Sequence, residues 1–131
     1  MDPTNTREEL PMTAMSHICI RVLDLEKSIA FYKENLGLTI QREISMPDRG
    51  WELVFLGDGT TDYQLELCKE TARTEPYALG DDTPHIGLVA QDFDSLKAKH
   101  KAAGMIFDEL NGTIYFIKDP DGHILEILPP K

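Results

Sequence analysis

The chain has 131 residues, 41% of them hydrophobic, with a formal net charge of −10. That length suits one compact domain, or two very small modules sharing a core. The acidic excess argues against nucleic acid as a partner, because phosphate binding needs a basic surface, and no apolar run approaches the roughly 20 residues that span a bilayer.

In chain order, residues 1–14 read as a disordered tail. Pro3, Asn5 and Pro11 interrupt it, and it lacks the apolar stretch of a signal peptide. The folded part is expected over 15–131. His17 to Leu23 is a short run of strand formers. Asp24 is placed to cap a helix whose Leu25, Ile29, Tyr32 and Leu36 form one apolar stripe, and Gly37 stops it. Leu38–Ile44, Trp51–Leu56 and Tyr63–Lys69 follow as strands, the last two separated by a Gly57-Asp58-Gly59 turn. A polar linker carries the chain to His85–Ala90, again a strand. Asp92 then caps a helix to about Ala103, followed by Gly104. Met105–Glu109, Thr113–Lys118 and His123–Leu128 complete the strands, the last two joined by Asp119-Pro120-Asp121-Gly122. Lys97, Lys99, His100 and Lys101 spread around the second helix, as a solvated face does. His100 and His123 are read as surface histidines. Cys19 and Cys68 are too few for a disulfide framework, so a reduced, cytoplasmic chain with the cysteines as small apolar filler is expected.

The two halves repeat. His17-Ile18 matches His85-Ile86, and Asp24 matches Asp92 at the same offset. Gln64-Leu65-Glu66-Leu67 matches Ile124-Leu125-Glu126-Ile127. Each half, about 15–70 and 83–129, is strand, helix, then three strands, with His at the start and Glu in the last strand. Neither half alone buries enough apolar surface to be stable, so modules must pack together or pair with those of another chain.

Strand parity decides which side chains share a face. Glu66 and Glu126 each stand between two large apolar residues that take the opposite face. A carboxylate buried there unpaired is costly. A divalent cation held by His17, Glu66, His85 and Glu126 would neutralise both. Two imidazoles and two carboxylates suit Ni²⁺, Co²⁺, Zn²⁺, Fe²⁺ or Mn²⁺.

The stretches HICIRVLDLEKSIAFYKENLGL, QLELC, PHIGLVA and DPDGHILEI resemble glyoxalase I (lactoylglutathione lyase) of the vicinal oxygen chelate superfamily, over residues 16–129. The resemblance implies an α+β fold in which two βαβββ modules form a half-open mixed-sheet cup. It implies a metal held by His17, Glu66, His85 and Glu126, with Ni²⁺ or Co²⁺ favoured over Zn²⁺. It also implies Glu126 as the catalytic base with Glu66 assisting, Arg21 binding substrate, and a homodimer with sites built from both chains. The implied reaction converts the hemithioacetal of methylglyoxal and glutathione, or another thiol, to the 2-hydroxyacyl thioester. Two departures bear on the thiol: Glu70 stands where the family has an asparagine, and the basic loop before the penultimate strand is shortened to Glu109-Leu110-Asn111-Gly112. Two other readings stay open. One is an Fe²⁺ extradiol-type dioxygenase using His17, His85 and Glu126 as a facial triad. The other is a non-catalytic small-molecule-binding module.

Overall fold

The computed structural model describes residues 12–131. The first eleven residues, where most of the expected tail falls, lie outside the described residues. The fold is α+β and duplicated. The first module is β1 (His17–Arg21), α1 (Leu25–Leu36), β2 (Thr39–Met46), β3 (Trp51–Gly57) and β4 (Gln64–Glu70). The second is β5 (His85–Val89), α2 (Phe93–Ala102), β6 (Asp108–Leu110), β7 (Ile114–Lys118) and β8 (Ile124–Leu128). Each module is a four-stranded mixed sheet, in the orders β1-β4-β3-β2 and β5-β8-β7-β6, with the first and last strands parallel.

The helix signals behave as their chemistry dictates. The Asp24 carboxylate accepts from the Lys27 amide, and Gly37 takes the left-handed conformation at φ 70°. Asp92 accepts from the Ser95 amide in the same way. β6 is shorter than expected and starts later. Met105 and Ile106 instead pack, half-buried, against the core, and pairing with β7 begins only at the Phe107 amide, which donates to the Phe116 carbonyl at 3.0 Å.

The two modules share one core within the chain. Ile20, Leu56, Leu65 and Leu67 of the first sheet join Tyr115, Ile117, Leu125 and Ile127 of the second, with Tyr32 of α1 fully buried among them. Polar bonds stitch the seam. Tyr32 donates to the Asp119 carboxylate at 2.6 Å, and Asp121 accepts from the Leu23 amide at 2.9 Å and the Ser28 hydroxyl at 3.4 Å. Between the helices, His100 Nε2 lies 2.9 Å from the Asn35 carbonyl, and Lys99 donates to the Glu34 carbonyl. A carbonyl only accepts, so Nε2 carries the proton, and Nδ1 accepts from the Tyr115 hydroxyl at 2.8 Å.

This corrects the reading of His100 as a surface residue: it is fully buried. Position 100 faces α1 and Tyr115, while the lysines beside it take the solvent. His123 is also partly engaged, its Nε2 lying 2.7 Å from the Arg21 carbonyl. No helix among the described residues is long and apolar enough to cross a membrane.

Candidate metal centre

Burial of one sheet face leaves the other open, and the two His–Glu pairs lie on those open faces. In β1 and β4, Cys19 is the register partner of Glu66, and His17 stands two residues earlier on the same side. His17 Nε2 is 3.2 Å from Glu66 Oε1. The second module repeats this: Gly87 is the partner of Glu126, and His85 Nε2 is 3.4 Å from Glu126 Oε1. Glu66 is buried and Glu126 half-buried. Their imidazoles stay 41% and 52% exposed, so both pairs can be reached from solvent.

An aromatic residue completes each pair. Phe55, the register partner of Glu66, holds the His17 ring edge-on at 5.5 Å, and Phe116, the partner of Glu126, holds the His85 ring at 6.0 Å. Sequence reasoning missed both phenylalanines, although each stands in the strand that precedes its glutamate strand. The second ring nitrogen of His17 lies 2.9 Å from the Ser16 hydroxyl, the kind of outer contact that orients a metal-ligating imidazole.

The four residues are not gathered in one chain. Among the described residues, no three of them have donor atoms within 4.8 Å of one another. The structure gives two His–Glu pairs on two separate sheets. Each offers one imidazole and one carboxylate with, among the described residues, no Lys or Arg bonded to the carboxylate, a donor set that fits a borderline divalent cation.

Glu66 also lines a cavity of about 550 Å³ with Cys19, Arg21, Met46, Arg49 and Trp51. The Arg21 guanidinium stacks 4.6 Å above the Trp51 ring. Arg49 was not singled out from the sequence; the turn Pro47-Asp48-Arg49-Gly50 places it on the lining of the same cavity as Arg21. Arg21 therefore does not stand alone as a cation here. Nor is the Glu70 carboxylate free to repel an anion. It accepts from the Tyr77 hydroxyl at 2.9 Å and lies 3.6 Å from Arg73. Burial and that bond push the Tyr77 phenol above its usual range. A larger cleft of about 640 Å³ runs along the seam between the modules, lined largely by apolar residues such as Ile18, Leu36, Leu56, Leu88 and Leu96, and it includes neither His–Glu pair.

The sulfurs of Cys19 and Cys68 lie against each other across β1 and β4, with Cα atoms 6.6 Å apart. They are diagonal neighbours in a parallel pair, Cys19 opposite Glu66 and Cys68 opposite Arg21, and so project together on the site face.

This architecture has clear relatives. The chain is 35% identical over 127 residues to a probable lactoylglutathione lyase of Vibrio parahaemolyticus, covering 88% of this chain and 89% of that one. It is 33% identical over 124 residues to a lactoylglutathione lyase of Neisseria meningitidis, with the same coverage. Among solved structures, it superposes on the trypanothione-dependent glyoxalase I of Leishmania major with a TM-score of 0.80 at 33% identity, covering 89% of this chain and 86% of that one. It also superposes on an E144Q variant of maize glyoxalase I with a TM-score of 0.76 at 30% identity, covering 86% of this chain and 44% of the longer maize chain. The family model for the Glyoxalase/Bleomycin resistance protein/Dioxygenase superfamily matches residues 14–127, and this chain belongs to that family.

Proposed function

We propose that the protein is a divalent-metal-dependent, glyoxalase I-like lyase acting on the hemithioacetal of a 2-oxoaldehyde and a thiol, with methylglyoxal and glutathione as the leading pair. The observation that carries this reading is the duplicated His–Glu pair, at 3.2 and 3.4 Å, on two open sheet faces. Equal pairing of imidazole and carboxylate in both modules leaves no surplus glutamate, which disfavours the two-His, one-carboxylate plan of a dioxygenase.

His17 and Glu66 of one chain, with His85 and Glu126 of a second copy, would hold the cation. Ni²⁺ or Co²⁺ is preferred to Zn²⁺. Dimerisation across the open faces would bring together half-sites that one chain keeps apart. When bound, such a cation would supply positive charge that stabilises the negative charge developing on the substrate during proton transfer.

The protein's own groups do the rest. A carboxylate oxygen of Glu126 takes the proton from one carbon and returns it to the next, with Glu66 assisting from the opposite side. Arg21 pairs with a carboxylate on the thiol portion, and Arg49 lends a second positive charge in the same cavity. Arg73 and Tyr77 offset Glu70, so glutathione is accommodated despite the acidic substitution. A cytoplasmic setting, where small thiols stay reduced, suits this chemistry.

The test is steady-state turnover of the methylglyoxal–glutathione hemithioacetal, followed by thioester formation. Turnover should vanish on chelation and return with Ni²⁺ or Co²⁺. Metal bound tightly with no thioester formed would refute the reading.

A further inference from the structure

Resting on that reading of the site, we propose that Arg42 is a second carboxylate anchor for the thiol, so that the first module alone grips both ends of a dicarboxylate thiol about as long as a tripeptide. Arg21 and Arg49 hold one end and Arg42 the other. Arg42 is the register partner of Phe55, and Phe55 that of Glu66, so the three stand in one row across β2, β3 and β4. Neighbouring strands lie about 4.8 Å apart, which puts the Arg42 backbone about 10 Å from that of Glu66. The Arg42 guanidinium lies 4.2 Å from the centre of the Phe55 ring, the ring that also holds His17 edge-on. Stacking on the face of a ring leaves the N–H edge of the guanidinium open to an in-plane carboxylate.

The spacing of the anchors sets the length of what they hold. Trp51 and Phe55 are four residues apart in β3, an even number, so both rings stand on the same sheet face. The Arg21 guanidinium lies over one ring and the Arg42 guanidinium over the other. At about 3.4 Å per residue, the two cations are separated by about 13–14 Å. Leu53 lies between them on β3, with Ile44 beside it on β2, as an apolar floor. A thiol of one amino acid extends only about 3.5 Å and reaches one cation. Three residues extend about 10–11 Å, and a charge-assisted hydrogen bond of about 2.8 Å at each end covers the remaining distance.

Among the described residues, none of Arg21, Arg42 and Arg49 forms an ion pair, in a chain whose net charge is −10. Unpaired cations gathered on one sheet face of an acidic protein favour an anionic ligand there. The duplicated plan makes position 42 distinctive. In the second module the register partner of Phe116 is Asp108, an acid where the first module has Arg42. The short hairpin that follows, Glu109-Leu110-Asn111-Gly112, carries no basic residue. Lys97 beside it is bonded to Glu109 and to the Gly112 and Thr113 carbonyls. That hairpin offers the thiol no anchor, and Arg42 supplies one from the other module.

The test is binding without turnover. The full chain is titrated calorimetrically with S-methylglutathione, which keeps both carboxylates and cannot react, and with its two monoesters, each blocked at one carboxyl. Arg42 is exposed on the edge strand β2, and an unchanged urea midpoint checks that Arg42→Gln folds. Arg42→Gln should weaken binding of the dicarboxylate about tenfold, the scale of one charge-assisted hydrogen bond. Toward one of the two monoesters the wild type should already be weaker by a similar factor, and Arg42→Gln should change nothing further. Arg42→Lys keeps the charge but lacks the planar fork, and should fall between the two. Equal dicarboxylate affinity in wild type and Arg42→Gln, an equal loss toward all three ligands, or no binding of S-methylglutathione by the wild type would each overturn the proposal. Binding with the expected pattern but no thioester formation would defeat the lyase reading and leave the anchor standing.

Discussion

Glu66 carries the heaviest chemical demand in the molecule. It is buried and bonded to an imidazole rather than a fixed cation. Glu66→Gln keeps its volume and removes its charge. Affinity for Ni²⁺ should fall at least about tenfold, measured by competition with a chelator. Tyr32 makes a different kind of prediction. Its hydroxyl donates to Asp119, while the other Asp119 oxygen accepts from the amides of Asp121 and His123 at 2.9 Å each. Burial pushes the Asp119 carboxyl above its usual range and the Tyr32 phenol well above its own. Tyr32→Phe removes the donor and leaves a buried carboxylate oxygen unmatched. A loss of about 1–3 kcal/mol is expected, read from the urea midpoint.

The helices and the strands they cover explain what could and could not be foreseen. The apolar stripe of α1 and its two ends followed from spacing and capping chemistry, as did the alternation that buries Leu65 and Leu67 opposite Glu66. His100 escaped that logic because its neighbours Lys99 and Lys101 mark a solvated face. The partners that bury it, Asn35 and Tyr115, are remote in sequence. The approach of the two cysteines escaped because counting them says nothing of register: Cys19 stands opposite Glu66 and Cys68 opposite Arg21, which sets the two on a diagonal.

The buried α2–α1 contact carries a pH dependence. Desolvation, together with the charge of Lys99, lowers the His100 pKa, while its bond to the Asn35 carbonyl partly opposes this. The folded state therefore resists protonation that the unfolded chain accepts near its ordinary value of about 6.5. Stability is fully present above that pH and falls as pH drops through it toward the lower folded value. Urea midpoints should decline from pH 8 to pH 5.5 in the wild type and decline less in His100→Gln. An equal decline in both would remove His100 as the cause.

At the level of the whole molecule, the repeat was legible as an internal correspondence of His and Glu positions. It foretold the duplicated sheets. What it could not foretell was the side on which the modules meet. Their apolar faces are joined within the chain through Tyr32, Asp119 and the shared core, so the His–Glu faces are turned away from that seam. A stable dimer in the micromolar range is the expected outcome by sedimentation, with the open faces as the interface. A monomer at those concentrations would contradict it.

Subunit complementation tests the shared centre most directly. Glu66→Gln and Glu126→Gln chains, each inactive alone, are co-expressed with different tags, and the mixed dimer is isolated and loaded with Ni²⁺. If His17 and Glu66 of one chain meet His85 and Glu126 of the other, one site carries both substitutions and the other carries neither. The mixed dimer should then recover about half of wild-type turnover and bind one tight Ni²⁺, as two-fold symmetry requires. A folded mixed dimer with no recovery of turnover and no tight metal would show that the centre is not shared between chains.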